Sequence, residues 1–233
     1  MIKKNIKSKK SNSKKKDYDF DKKKSYEIEE AIELCKKFSK TKFNSSIEVH
    51  FRLGIDAKKG DQQIRGAVSL PHGTGKTVKV AAFVEDDKVE NVKKAGADFC
   101  GNEDLIAEIK KTEKTDFQVA IAEPNMMKKL ASIAKILGTR GLMPSPKNET
   151  VTPDPAKAVS ELKKGKINFK NDDTGNIHFI VGKIDFDNKK LIENFHAILE
   201  VVKKVKPKSS KGIYIKNISV CSTMGPGIKV VVY

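Results

Sequence analysis

Apolar residues recur along this chain at two spacings, and each change of spacing marks a new element. In SYEIEEAIELCKKFSK, Ile28, Ala31, Ile32, Cys35 and Phe38 fall on one helical face, with acidic residues early and lysines late as the helix dipole favours. SSIEVHFRLGI then alternates Ile47, Val49, Phe51 and Leu53 on one side, which predicts a half-buried strand. From Val78 the run VKVAAFV is followed by VENVKKAG, ADFCG, NEDLIAEIKK, FQVAIAE and NMMKKLASIAKILG. Strands alternating with helices, the central ones apolar on both faces, predict a small α/β layer.

GTRGLMPSPK holds two glycines and two prolines and reads as a loop. PAKAVSELKKG is a helix with Pro155 in its first turn and Gly165 at its end. KINFKNDDTGNIHFIVGKI reads as a hairpin turning at Asp172 to Gly175, with Ile167 and Phe169 alternating before the turn and Ile177, Phe179 and Val181 after it. A long helix, NKKLIENFHAILEVVKKVK, precedes the strands KGIYIKNISVCS and IKVVVY, which TMGPG separates.

One helix and one strand before residue 70 cannot bury a core alone, so the simplest arrangement pairs the two chain ends and inserts the middle between them. The expected fold class is α/β (α+β), a two-domain chain whose discontinuous first domain, of sheet plus helices, carries an inserted Rossmann-like α/β second domain. The expected boundaries are 25–69 plus 155–233 for the first domain and 70–154 for the second. Leu70, Pro71, His72, Gly73 and Gly75 at one crossing, with Pro153 and Pro155 at the other, are the expected hinge residues.

Charge sharpens this division. Residues 1–16 hold eight lysines and no carboxylate, and 161–233 hold 14 basic against seven acidic residues, while the stretch between is nearly neutral. A lysine block repels itself, so residues 1–24 are expected to form a disordered basic arm. A basic surface on a folded segment instead suits a polyanion. With three arginines, Arg52, Arg65 and Arg140, against many lysines, the chain is better supplied for phosphate contacts than for bidentate reading of guanine edges.

The stretch LPHGTGKT, Leu70 to Thr77, resembles a phosphate-binding loop but fails as one. The Walker spacing needs a glycine at position 70, where Leu70 stands, and a helix after Thr77, where TVKVAAFV reads as a strand. Cys35, Cys100 and Cys221 are widely spaced and His50, His72, His178 and His196 show no metal-binding spacing, so no metal or cofactor is expected. No G-x-S-x-G elbow is present, so a binding protein is expected rather than an enzyme. The absence of a secretory h-region and of a membrane-length apolar run makes a cytoplasmic protein the expectation, with no membrane partner.

LGID, RGAVSLPHGTGK, AGAD, ILGTRGLMPSPK, KINFKNDDTGNIHFIVGK and STMGPGIKV occur in that order. Together they closely resemble the bacterial large-subunit ribosomal protein one family, over nearly the whole chain after about residue 25. The resemblance implies two α/β domains, the second inserted into the first. It also implies binding to the mobile stalk of large-subunit rRNA, a part in releasing deacylated exit-site tRNA, and repression of the protein's own operon mRNA. The implied setting is the large ribosomal subunit in the cytoplasm, an organellar ribosome being the alternative.

Family motifs carry the implied rRNA contacts onto three places: Thr41, Lys42, Phe43 and Glu48; Lys166, Phe169, Lys170, Asp172, Thr174 and His178; and Ser222, Thr223, Met224 and Gly225. The chemistry is apt, because a threonine hydroxyl such as that of Thr223 can bond a ribose 2′-hydroxyl, Gly225 allows close backbone approach, Met224 can pack on a sugar or base, and Lys166 and Lys170 neutralise phosphate. Pattern alone equally allows Phe43 and Phe169 to be core residues and His178 to be a polar-face residue. Asp173 departs from the family's usual Lys, and Ser145 from its usual Asn.

Overall fold

The computed structural model describes residues 20–231, so most of the expected basic arm lies outside the described residues. The described chain is mixed α/β, built on a four-stranded sheet, a two-stranded ribbon and a three-stranded sheet.

The four-stranded sheet unites the chain ends. Its strands are β1 (Ser46–Leu53), β7 (Asn176–Lys183), β8 (Ile215–Ser222) and β9 (Ile228–Val230), in the order β7-β1-β8-β9, all antiparallel. Because side chains alternate along a strand, one face collects Ile47, Val49, Phe51, Ile177, Phe179, Val181, Ile218 and Val220, all buried. Helices α1 (Ile28–Phe38) and α7 (Asn188–Lys204) cover that face with Ile28, Ala31, Ile32 and Cys35, and with Leu191, Phe195, Ile198, Leu199 and Val202. Phe51 lies at the centre, edge-on to Phe179 and stacked on Phe195. The opposite face of the sheet has no helix over it in the described residues.

The middle of the chain forms a parallel sheet in the order β4-β3-β5, from β3 (Val80–Phe83), β4 (Phe99–Gly101) and β5 (Val119–Ala122). Every residue of β3 is buried, as a strand covered on both faces requires. Ala81 and Phe83 face Ile106 and Ile109 of α3 (Glu103–Thr112) together with Leu130, Ile133 and Leu137, whereas Val80 and Ala82 face Val92 of α2 (Asp86–Lys94). The expected single helix over 125–138 is interrupted by turns of 3-10 helix around α4 (Met127–Leu130) and α5 (Ala134–Thr139). Met126, Leu130, Ile133 and Leu137 nevertheless keep one buried side.

Two elements differ from the sequence expectation. Helix α6 (Pro155–Lys164), expected with the chain ends, packs Val159 and Leu162 beside Val80, Ala82 and Ile121, so it covers the middle sheet and the chain crosses back at Gly165. The stretch 166–183 is not a paired hairpin. Strand β6 (Lys166–Lys170) pairs with β2 (Arg65–Ser69) in a ribbon between the two halves, while β7 joins β1 in the larger sheet. The Asp172–Gly175 turn forms, but the strands beyond it part because each finds a better-matched partner far away in sequence.

Candidate nucleic-acid interface

The open side of the four-stranded sheet and the loops at one end of it bring most of the expected site together. Glu48, His50 and Arg52 alternate outward from β1, and the register sets Glu48 opposite Cys221 and Ile180, His50 opposite His178 and Ser219, and Arg52 opposite Asn176 and Asn217. His50 Nδ1 lies 2.8 Å from His178 Nδ1, and His50 Nε2 lies 3.2 Å from Cys221 Sγ. Burial, reinforced by His178, holds the His50 imidazole below its ordinary value, so it is neutral near pH 7. Burial first and Glu48 second push the Cys221 thiol up.

At the end of this face the loop before β1 meets the turn after β8. Thr223 N donates to Ser46 O at 3.0 Å, and Ser46 N donates to Thr223 Oγ1 at 3.2 Å. The Thr223 hydroxyl, expected to serve RNA, is therefore engaged in fastening the turn to β1. Gly225 N donates to Ser222 O at 2.8 Å, closing the turn, and a Cβ on Gly225 would overlap Ser222 Oγ. Glycine is required there by the turn's own packing.

Two large apolar side chains flank this fastened junction. Phe43 is 56% exposed and Met224 80% exposed, and Met224 holds a left-handed φ of 66°. That conformation costs an unbranched L-residue about 1–2 kcal/mol, and strain kept at a surface turn points to use of the side chain it aims outward. Thr41 caps the loop by donating to Phe43 O at 3.0 Å, and Lys42 is exposed beside it.

Other expected contacts are turned to different work. Phe169 is buried, its ring 4.9 Å from that of Phe179, because β6 alternation points it at the core while Lys170 points to solvent. Ser222 is buried as the next inward position of β8 after Ile218 and Val220. Lys166, 12% exposed in its side chain, is held by Glu149 at 2.5 Å and Glu161 at 2.9 Å, so its charge is already matched within the protein. Asp172 organises the turn: its carboxylate accepts from Thr174 N, Thr174 Oγ1, Asn176 N and Asn176 Nδ2, and the bond from Asn176 N is 2.6 Å. Burial pushes that carboxyl up, but the bonds from Asn176 and Thr174 outweigh it and hold the group well below the usual range. His178 is exposed, 3.7 Å from Asp172 across Nε2 and Oδ2.

The expected hinge loop is tied down. Fully buried Asn194 of α7 donates to Gly73 O at 3.0 Å and to Val181 O at 2.8 Å, and accepts from His72 N at 3.1 Å. Leu70 is buried in the sheet core and Leu70 N donates to Gly165 O at 3.3 Å. Gly73 and Gly75 both have positive φ, and Pro71 is exposed. At the other crossing Pro153 O accepts from Lys88 Nζ at 3.4 Å, and Pro155 is buried at the first turn of α6.

His50, Arg52, Asn176, Asn217, Ser219 and Cys221 share the open face with Glu48 and His178 but were not among the expected contacts. Their alternation with buried neighbours was legible in the sequence, but the register that sets them side by side was not. Among the described residues no helix is long and apolar enough to cross a membrane.

Fold and site together define a mixed α/β protein that offers a polar sheet face bordered by exposed apolar side chains. The Ribosomal protein L1p/L10e family profile matches residues 35–226. The Large ribosomal subunit protein uL1 of Kosmotoga olearia is 54% identical over 209 residues, covering 90% of each chain. That of Mesoplasma florum is 54% identical over 210 residues, covering 90% of this chain and 92% of its own. This chain belongs to the Ribosomal protein L1p/L10e family and, as a structural ribosomal protein, is not an enzyme.

Proposed function

We propose that this chain binds the stalk region of large-subunit rRNA through the junction of the 41–46 loop with the 222–225 turn and the adjoining open sheet face. The observation that carries this reading is the pair Phe43 and Met224, two large apolar side chains held out to solvent on either side of the Ser46–Thr223 hydrogen bonds that join loop to turn. Unstacked bases and riboses of structured RNA offer the flat apolar surface such side chains cover, while a regular DNA duplex does not. Exposed Lys42 beside Phe43, Arg52 and Lys229 on the strands of the sheet, and Lys170 on β6 supply phosphate neutralisation. Thr41 and Glu48 border the junction, and His178 extends the polar face toward Thr174 and Asp172.

On this reading the chain ends form the RNA-binding domain and the middle, including α6, forms a second domain across the β2–β6 ribbon. Holding the stalk, the protein assists release of deacylated tRNA from the exit site, and through the same surface it represses its own operon mRNA. The support for these roles is the family resemblance together with the open sheet face and the exposed Phe43 and Met224 at its end. The test is filter binding of the purified protein to a stalk rRNA fragment, to DNA of the same sequence and to its own operon leader. Tight, salt-sensitive RNA binding with weak DNA binding is expected, and equal affinity for RNA and DNA would reject the reading.

A further inference from the structure

The geometry points to a transition-metal site on the open sheet face, taking Zn2+ or a similar borderline-soft divalent ion through Glu48, His50 Nε2 and the Cys221 thiolate. The three donor atoms lie within 4.8 Å of one another, and His50 Nε2 to Cys221 Sγ is 3.2 Å. Zinc bonds of about 2.0–2.1 Å to imidazole and 2.3 Å to thiolate at a tetrahedral angle separate those two atoms by roughly 3.6 Å, so seating an ion needs only small side-chain rotations. Thiolate with imidazole is a donor set that favours zinc, cobalt and nickel over magnesium or calcium.

The strand register builds the site. Glu48 and His50 are two apart on β1 and share a face, and Cys221 stands opposite Glu48 on β8, so three donors converge from two hydrogen-bonded strands without any loop. The remaining ring nitrogen of His50 is also provided for. With the proton on His50 Nδ1, His178 Nδ1 accepts at 2.8 Å, which leaves the Nε2 lone pair of His50 directed to the ion. His178 then carries its own proton on Nε2, toward the Asp172 carboxylate 3.7 Å away. His178 thus supplies the partner for the second ring nitrogen that fixes the tautomer and orientation of a metal-binding histidine. Loading the site displaces the Cys221 proton to solvent, and three protein ligands leave one position of a tetrahedral ion to water.

The test uses the intact free protein and no RNA, so its outcome is separate from that of the RNA-binding reading. Titration with Co2+ should produce a thiolate-to-cobalt charge-transfer absorption at one equivalent, competed away by Zn2+, and Zn2+ should protect one thiol from a thiol-modifying reagent. Cys221→Ser should abolish the absorption and the protection, His50→Ala should weaken binding at least tenfold, and Cys100→Ser should change neither. Because Cys221→Ser could also disturb β8, its melting temperature is measured alongside, and thiol protection in the unmodified protein stands without any variant. Absence of the charge-transfer band in the intact protein, or a band that survives in a folded Cys221→Ser protein, overturns the assignment.

Discussion

Replacing Asn194 by alanine tests whether a single buried amide fastens the 70–75 loop to the end-built core. Asn194 is fully buried and makes three bonds of 2.8 to 3.1 Å, donating to Gly73 O and Val181 O and accepting from His72 N. Each such bond contributes about 1 kcal/mol net, so their loss destabilises by about 3 kcal/mol, and more where the backbone partners are left without water. Asn194→Asp keeps the acceptor for His72 N but loses both donations and buries a charge, so it should cost at least as much. Urea denaturation followed by circular dichroism reads the effect. With a urea dependence of about 2–3 kcal/mol/M, a 3 kcal/mol loss moves the midpoint by about 1 M. Release of the loop should also speed trypsin cleavage after the exposed Lys76 under native conditions. A midpoint shift equivalent to less than about 1 kcal/mol, with trypsin sensitivity unchanged, would show that the loop is held by packing and that the amide network is incidental.

Thr223→Val should lower stability by about 1 kcal/mol in the same denaturation assay, because its hydroxyl accepts from Ser46 N; an unchanged midpoint would return that hydroxyl to RNA contact alone. Phe43→Ala should leave the melting temperature nearly unchanged yet weaken stalk RNA binding by about 1–3 kcal/mol for the lost stacking contact, and Met224→Ala should weaken it through lost apolar contact, both measured by filter binding. The Asp172 carboxyl is held below its unfolded value of about 3.9, so its contribution is present above that pH and fades as pH falls through the lower folded value. The stability difference between the natural protein and Asp172→Asn should therefore shrink below about pH 4, and a difference constant with pH would contradict the assigned role. Gly165→Ala places a Cβ 2.5 Å from Gly73 Cα at a φ of 115°, and should cost more than about 2 kcal/mol by thermal melting.

The sequence by itself determined the local elements and the side each buries. Ile47, Val49, Phe51 and Leu53 fix β1 and its inward face, and the doubly apolar Val80–Phe83 fixes a strand covered on both sides, because periodicity is a property of neighbours in the chain. It also showed that the ends need each other and that the Leu70–Thr77 stretch is no phosphate loop. Partner choice was decided only by the tertiary structure. That β6 leaves β7 to pair with β2, that α6 covers the middle sheet, and that His50 meets both His178 and Cys221 depend on contacts between residues far apart in the chain. Tertiary packing likewise turned Phe169 and Ser222 inward, spent the Lys166 charge on Glu149 and Glu161, and left Phe43 and Met224 in solvent. The physical reason is that alternation says which residues share a face, whereas register and docking, set by the burial of the whole core, say what that face meets.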